Sequence, residues 1–315
     1  MEAANIALVT PRLLGALADT TITIPDDAAA FIAFINDRNN DRNENLRAMA
    51  LDAVTALQTA GMEPVLLKGM AVWATCNPAS KGFPRMMSDV DLMIDPSEAE
   101  AALEVLHTNG FHIYRSHPPG APHIVAELWR EGGVGLLDLH RYPPGGLATA
   151  GLLANSANTL QAPWAGSTRV PTAALQIYLT CLHDMVHDDG FWSGGFDVRH
   201  LCDIADLTRA PEGVDWAVVD GLLDNRLLRN KVYSQLIAAN RIAGAHIPDA
   251  ICRRALPRLH FWRHYAQYIY PRFYFPLLVV GVALEASNIN LVKAGHASVM
   301  RIKRLSKIRS HPNKI

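Results

Sequence analysis

Leu66-Leu67-Lys68-Gly69 and, further along, Arg85-Met86-Met87-Ser88-Asp89-Val90-Asp91-Leu92 are the stretches that decide the fold. Residues 65–67 read as a short buried strand, and Lys68-Gly69 turns the chain into a helix beginning near Met70. Residues 90–94 read as a second strand, stopped by Asp95-Pro96. Side chains alternate along a strand, so Asp89 and Asp91 share one face while Val90 and Leu92 enter the core. Two adjacent carboxylates repel each other unless a cation sits between them. Magnesium suits such a pair, because it takes oxygen ligands and keeps positions for substrate phosphates. A third carboxylate, Asp138 in Gly135-Leu136-Leu137-Asp138-Leu139-His140, lies on the kind of strand that would complete a two-metal arrangement for in-line displacement. The bland alternative is a solvated strand face. Against it stands the Lys68-Gly69 turn, since a strand entering a helix through glycine offers backbone N–H groups and a helix N-terminus to phosphate. Lys68 adds a point charge there, and Arg85 is placed to reach the same polyphosphate.

Upstream, residues 27–61 carry a helical apolar pattern, with Asp26 and Asp27 as caps and a break expected at the Asn-rich residues 39–45. Downstream, Ser97 and Glu100 form a capping-box pattern for a helix to about His107. Three further strands are expected at 111–115, 123–130 and 134–141. From Pro171 onward the pattern is helical, over 173–187, 198–208, 216–225, 230–243 and a last region at 261–284. The layout predicts an α+β fold, with a small mixed β-sheet core, flanking helices and an α-helical C-terminal domain. Its expected units are residues 1–61, 62–150, 151–292 and a basic tail, 293–315.

Half of the 315 residues are apolar, which excludes global disorder, and a net charge of -1 gives no overall bias toward nucleic acid or membrane. The balance hides an asymmetry: from Lys293 on there are Lys and Arg but no Asp or Glu. The four scattered cysteines, Cys76, Cys181, Cys202 and Cys252, read as reduced thiols of a cytoplasmic protein. No signal-peptide pattern opens the sequence. The apolar stretch 273–284 is too short to span a bilayer and is expected to be a buried helix.

Together the three motifs resemble the DNA-polymerase-β-like nucleotidyltransferase superfamily, and within it the bacterial uncharacterised nucleotidyltransferase family. The resemblance covers residues 60–145 well and the helical part loosely. It implies a nucleotidyltransferase that moves a nucleoside monophosphate from an NTP, ATP first among them, to an acceptor hydroxyl or phosphate. The acceptor class is left open between a small molecule, a peptide and an RNA end. The resemblance gives Asp89, Asp91 and Asp138 the catalytic and metal-binding roles, with Mg2+ as cofactor. Lys68 and Gly69 fall at the triphosphate, with Arg85 and Ser88 beside them. Met70 stands where the superfamily has a small residue, Gly or Ser, and this favours the alternative of an inactive nucleotide-binding partner module.

A second polar cluster comprises His183, Asp184, His187, Arg199, His200 and Asp203. In related proteins a helix pair of this kind faces the carboxylates across the cleft, which by resemblance places His187 and Arg199 at nucleotide or acceptor, with Asp203 expected to pair with Arg199. A zinc hydrolase built on His183 and His187 is the competing reading, although the glutamate of the metalloprotease motif is missing. The aromatic residues between Phe261 and Phe275 suit a packed helical border better than a base-stacking surface. The basic tail is open to an anionic partner.

Overall fold

The computed structural model describes residues 2–288 apart from residues 19, 78, 81, 118–122, 144–146, 163 and 165–167; the basic tail from Lys293 lies outside the described residues. The strands are Val65–Leu66 (β1), Asp89–Met93 (β2), Phe111–Ser116 (β3), Ile124–Arg130 (β4), Leu136–His140 (β5), Thr159–Gln161 (β6) and Arg169–Pro171 (β7). They form one mixed sheet in the order β3-β4-β5-β2-β1-β7-β6. At its centre β2 and β5 run parallel, with Asp91 directly opposite Asp138 and Met93 opposite His140. β1 joins β2 antiparallel and β7 runs parallel to β1. Val90, Leu92, Leu137 and Leu139 are fully buried, so the apolar alternation pins one face of β2 and β5 to the core. A one-residue slip of either strand would send its carboxylates inside. β6 and β7 carry no strong alternation in sequence and lie beyond residue 150, yet they extend the sheet.

The expected break at residues 39–45 is absent. One helix runs over Asp26–Thr59, because its polar residues are used by another segment. The Nδ2 groups of buried Asn39 and Asn43 each donate to the Phe83 carbonyl at 2.9 Å, and Asn43 also donates to the Arg85 carbonyl at 2.9 Å. Arg42 Nε donates to the Met87 carbonyl at 2.9 Å. The helix thus satisfies the backbone of the segment leading into β2, an obligatory cost of burying it. The start of the helix also departs from expectation: Pro25 is its N-cap, without a side-chain cap. Nor does Ser97 cap a helix. Asp95 accepts from the Ser97 N–H at 2.8 Å and opens a 3₁₀ turn, and the helix Ala99–Thr108 follows it.

The Lys68–Cys76 helix follows β1 and packs against the helices Ala173–Leu182 and Val198–Leu207 of the C-terminal half. Trp73, fully buried, stacks on Phe83 with centroids 6.1 Å apart and meets Trp164 edge-on at 5.1 Å. The β-rich and helical halves therefore share a core rather than merely touching. The Arg226–Ala243 helix packs against Ala173–Leu182 and Val198–Leu207, and Ala255–Ile269 packs along it. Residues 273–284 form no buried helix. In Tyr274–Leu284 Gly281 alone is buried among the described side chains, and Phe275 is 69% exposed. An apolar helix of this kind needs a partner on every side, and the described chain covers only part of it.

Candidate active site

Asp91 is the most constrained group of the sheet face. It is 3% exposed, and its Oδ1 meets Lys68 Nζ at 2.6 Å and His140 Nε2 at 2.8 Å. Burial alone would raise its carboxyl; the Lys68 ammonium and the His140 hydrogen bond outweigh burial and hold it well below the ordinary carboxylate range. Asp89 lacks those close partners, so burial and the Asp91 charge raise it. Asp138, opposite Asp91, is raised furthest, to about 7, by burial and then by the charges of Asp91 and Asp89. Three carboxylates on two adjoining strands thus carry more negative charge than their surroundings neutralise. Burial opposes the charged form of Lys68, and Asp91 first among its neighbours reverses that effect and raises the ammonium.

The approach of Lys68 to Asp91 has a backbone basis. Leu67 N–H donates to the Asp91 carbonyl at 2.9 Å, placing the turn beside β2. Lys68 has φ 45°, a left-handed conformation that costs a non-glycine residue roughly 1–2 kcal/mol. The ion pair on Asp91 holds it there. Gly69 is required next, since a Cβ at that position would lie 2.3 Å from Arg85 Nη1 and 2.7 Å from Met87 Sδ. Arg85 therefore passes directly over the glycine turn.

Arg85 is in turn fixed from the helical half. Its Nε lies 2.7 Å from one oxygen of Asp203 and 3.0 Å from the other, both side chains being nearly fully buried. Arg12 reaches the same carboxylate at 3.3 Å and Asp206 at 2.7 Å. The expected pairing of Asp203 with Arg199 is thus replaced: Arg199 binds Asp197, which caps the Val198–Leu207 helix. One turn of helix separates Arg199 from Asp203, and Asp203 faces Arg85 and Arg12. Lys68, Arg85, Asp203, His183 and His200 line one pocket between the sheet and the helices.

His187 also belongs to this neighbourhood. Its ring lies 4.8 Å from that of His123, and His123 stacks on His140 at 6.4 Å. Burial, then the nearby His187 and His140, lower His123 to about 4. A short π-helical turn, His183–His187, changes the helical phase here. Beside it, Asp184 accepts from His200 Nδ1 at 2.8 Å and from Gln235 Nε2. Burial opposes ionisation of Asp184, but His200 and His183 hold it down at about 2. Burial would lower His200, and Asp184 raises it instead.

The structure brings together Asp89, Asp91, Asp138, Lys68, Gly69 and Arg85, and Ser88 donates its side-chain hydrogen bond to Asp89. Arg199 stays with its own cap. His140, Asp184, His200 and Gln235 were not singled out as site residues, nor was Glu127, which lies opposite Asp138 on β4. A signal for His140 was present, because Asp138-Leu139-His140 repeats the alternation of Asp89-Val90-Asp91. Among the described residues, two groups have donor atoms within 4.8 Å of one another, as a bound metal ion requires: Asp91, Asp138 and His140, and His183, Asp184 and His200.

Among curated proteins none matches the chain. Among solved structures, the solution structure of the antibiotic-resistance factor ANT(2'')-Ia is similar at 13% identity and a TM-score of 0.38, over 62% of this chain and 92% of that one. A family model described as "Uncharacterised nucleotidyltransferase" matches residues 1–244. With that match over most of its length, the chain belongs to the uncharacterised nucleotidyltransferase family.

Proposed function

We propose that the chain transfers a nucleoside monophosphate from an NTP, ATP foremost, to an acceptor hydroxyl or phosphate by a two-metal mechanism. The observation that carries this reading is the facing of Asp91 and Asp138 across β2 and β5, with Asp89 two residues from Asp91 on the same strand face. The acceptor oxygen would attack the α-phosphorus, the bond to the bridging oxygen would break, and pyrophosphate would leave. Three oxygen-donor side chains fit a hard divalent cation, and a proton held on Asp138 up to about 7 marks the negative charge such a cation would neutralise. Asp89, Asp91 and Asp138 would hold magnesium, which when bound supplies charge neutralisation along the polyphosphate and at the reacting oxygens.

The remaining work falls to side chains of this chain. Lys68 and the N–H groups opening the Lys68–Cys76 helix would bind the triphosphate, with Arg85 and Ser88 beside them. Asp203 orients Arg85, and His140 fixes the rotamer of Asp91. Asp138 would ligate a metal or accept the acceptor's proton, for which a raised carboxylate is suited. His187, whose ring meets that of His123, would face nucleotide or acceptor, and Arg199 would join it there on leaving Asp197. Positioning and charge stabilisation would supply most of the rate. We place the reaction in the cytoplasm, in keeping with the scattered cysteines, and its acceptor among small molecules, peptides and RNA ends.

A second reading rests on a specific contact. Lys68 Nζ sits on Asp91 Oδ1 at 2.6 Å, where a metal would bind, and Met70 follows Gly69 in place of a small residue. A catalytically inactive nucleotide-binding partner would keep that ion pair with NTP present. Purified protein with magnesium, α-labelled triphosphates and a broad acceptor pool separates the two. Transfer of label that Asp89→Ala abolishes is expected; triphosphate binding without pyrophosphate release supports the inactive partner instead.

A further inference from the structure

Charge and apolar exposure both concentrate toward the C-terminal end of the sequence. Residues 253–315 contain twelve Lys and Arg and one acidic residue, Glu285, whereas residues 1–252 contain seventeen Lys and Arg against twenty-nine acidic residues. Glu285 offers no surface charge, being fully buried and bonded to His260 at 2.9 Å and Asn230 at 2.7 Å. The same end exposes large apolar side chains. Along the Ala255–Ile269 helix Leu259, Trp262, Tyr265 and Ile269 recur at three- and four-residue spacing and are exposed, while His260, Phe261, His264 and Gln267 on the other face are buried. Phe273, in the turn that follows, and Phe275, Val279, Val280 and Val282 continue the exposure onto the helix Tyr274–Leu284, which packs on the first. Single exposed apolar residues are ordinary in folded proteins; a run across two adjoining helices marks a binding surface.

We propose that this face docks the protein onto an anionic lipid surface, with the Ala255–Ile269 and Tyr274–Leu284 helices lying in the interface and the basic residues pairing with the headgroups. Trp and Tyr at the border of an apolar patch suit the headgroup boundary, and Phe and Val suit the acyl region below it. Exposed Arg258 and Arg272 flank the patch, and the basic segment from Lys293 follows it in sequence. Juxtamembrane Lys and Arg of this kind are attracted by anionic lipid. No helix among the described residues is long and apolar enough to cross a membrane, so the mode is lying on the surface. A second copy on this face would bring the exposed arginines of both copies together. A nucleic acid would use the arginines and the tyrosines, but valines offer no ring for bases to stack on.

Flotation of the full chain with vesicles tests this directly. Binding to phosphatidylcholine vesicles containing phosphatidylglycerol is expected to be about tenfold or more tighter than to phosphatidylcholine alone, and to weaken with salt. The double variant Phe275→Asp with Val279→Asp, and separately Trp262→Glu on the neighbouring helix, should each weaken it by about tenfold or more. Both should keep the wild-type melting temperature, because these side chains are exposed. Equal partition to the two vesicle types, or variants that bind like the wild type, would overturn the proposal. So would a dimer in sedimentation velocity, or salt-sensitive RNA binding, that the same substitutions abolish while lipid binding persists. None of these outcomes depends on nucleotidyl transfer.

Discussion

Asp203→Asn removes one charge from the centre of a buried cluster without changing its volume. The wild-type carboxylate accepts from Arg85 Nε at 2.7 and 3.0 Å and from Arg12 at 3.3 Å, with Arg85 and Asp203 side chains 5% and 3% exposed. The amide would present an N–H2 donor toward guanidinium donors and leave Arg85 buried without its counter-charge. Removing one partner of a buried pair costs about 3–5 kcal/mol. Unfolding entropy near 2.1 cal/mol/K per residue gives roughly 0.7 kcal/mol/K for this chain, so the melting temperature should fall by about 5–8 °C. Asp206→Asn is the control. Asp206 also binds Arg12, at 2.7 Å, but is 24% exposed, and its loss should cost about 1 kcal/mol or less. Arg85 would also lose its orientation over Gly69, raising KM for the triphosphate about tenfold, the worth of one charge-assisted hydrogen bond. Thermal unfolding followed by circular dichroism and initial-rate kinetics read the two effects. If Asp203→Asn melts within a degree or so of Asp206→Asn, Asp203 does not hold Arg85 in the way described.

Gly69→Ala places a methyl 2.3 Å from Arg85 Nη1; triphosphate binding should weaken about tenfold by calorimetry, and wild-type affinity would show that Arg85 moves aside freely. Stability should fall at both ends of the pH range through the Asp184–His200 pair. Asp184, held at about 2 against an ordinary 3.8, contributes stability above the ordinary value, lost as pH falls from about 4 to about 2. His200, raised above its ordinary 6.5, contributes stability below that value, lost as pH rises through its folded value. His200→Asn should flatten the alkaline limb of a melting-temperature profile, and an unchanged limb would remove His200 as its cause.

The parts of the fold written as local alternation were legible. Asp89-Val90-Asp91-Leu92 and Leu137-Asp138-Leu139 place their apolar residues inside and their carboxylates together, as period two requires, and β1 followed from an apolar run ending at a glycine turn. Contacts between distant residues were not legible. Asn39, Asn43 and Arg42 look like a helix break in one dimension, because their partners, the carbonyls of residues 83–87, lie about forty residues away. Asp203 looked like the neighbour of Arg199 because helical spacing favours it, and the rival partners Arg85 and Arg12 are remote in sequence. β6 and β7, three residues each, are too short for periodicity to register. The Tyr274–Leu284 helix reads as core from composition, since an apolar sequence does not say what covers it.

Manganese titration followed by electron paramagnetic resonance tests the carboxylate site most directly, because it needs no knowledge of the acceptor. With a non-hydrolysable triphosphate present, the wild-type chain should bind two ions. Asp91→Asn and Asp138→Asn should each lose at least one of them, with the fold intact by circular dichroism. Manganese binding unchanged in both variants would contradict the assignment of Asp89, Asp91 and Asp138 as the metal site.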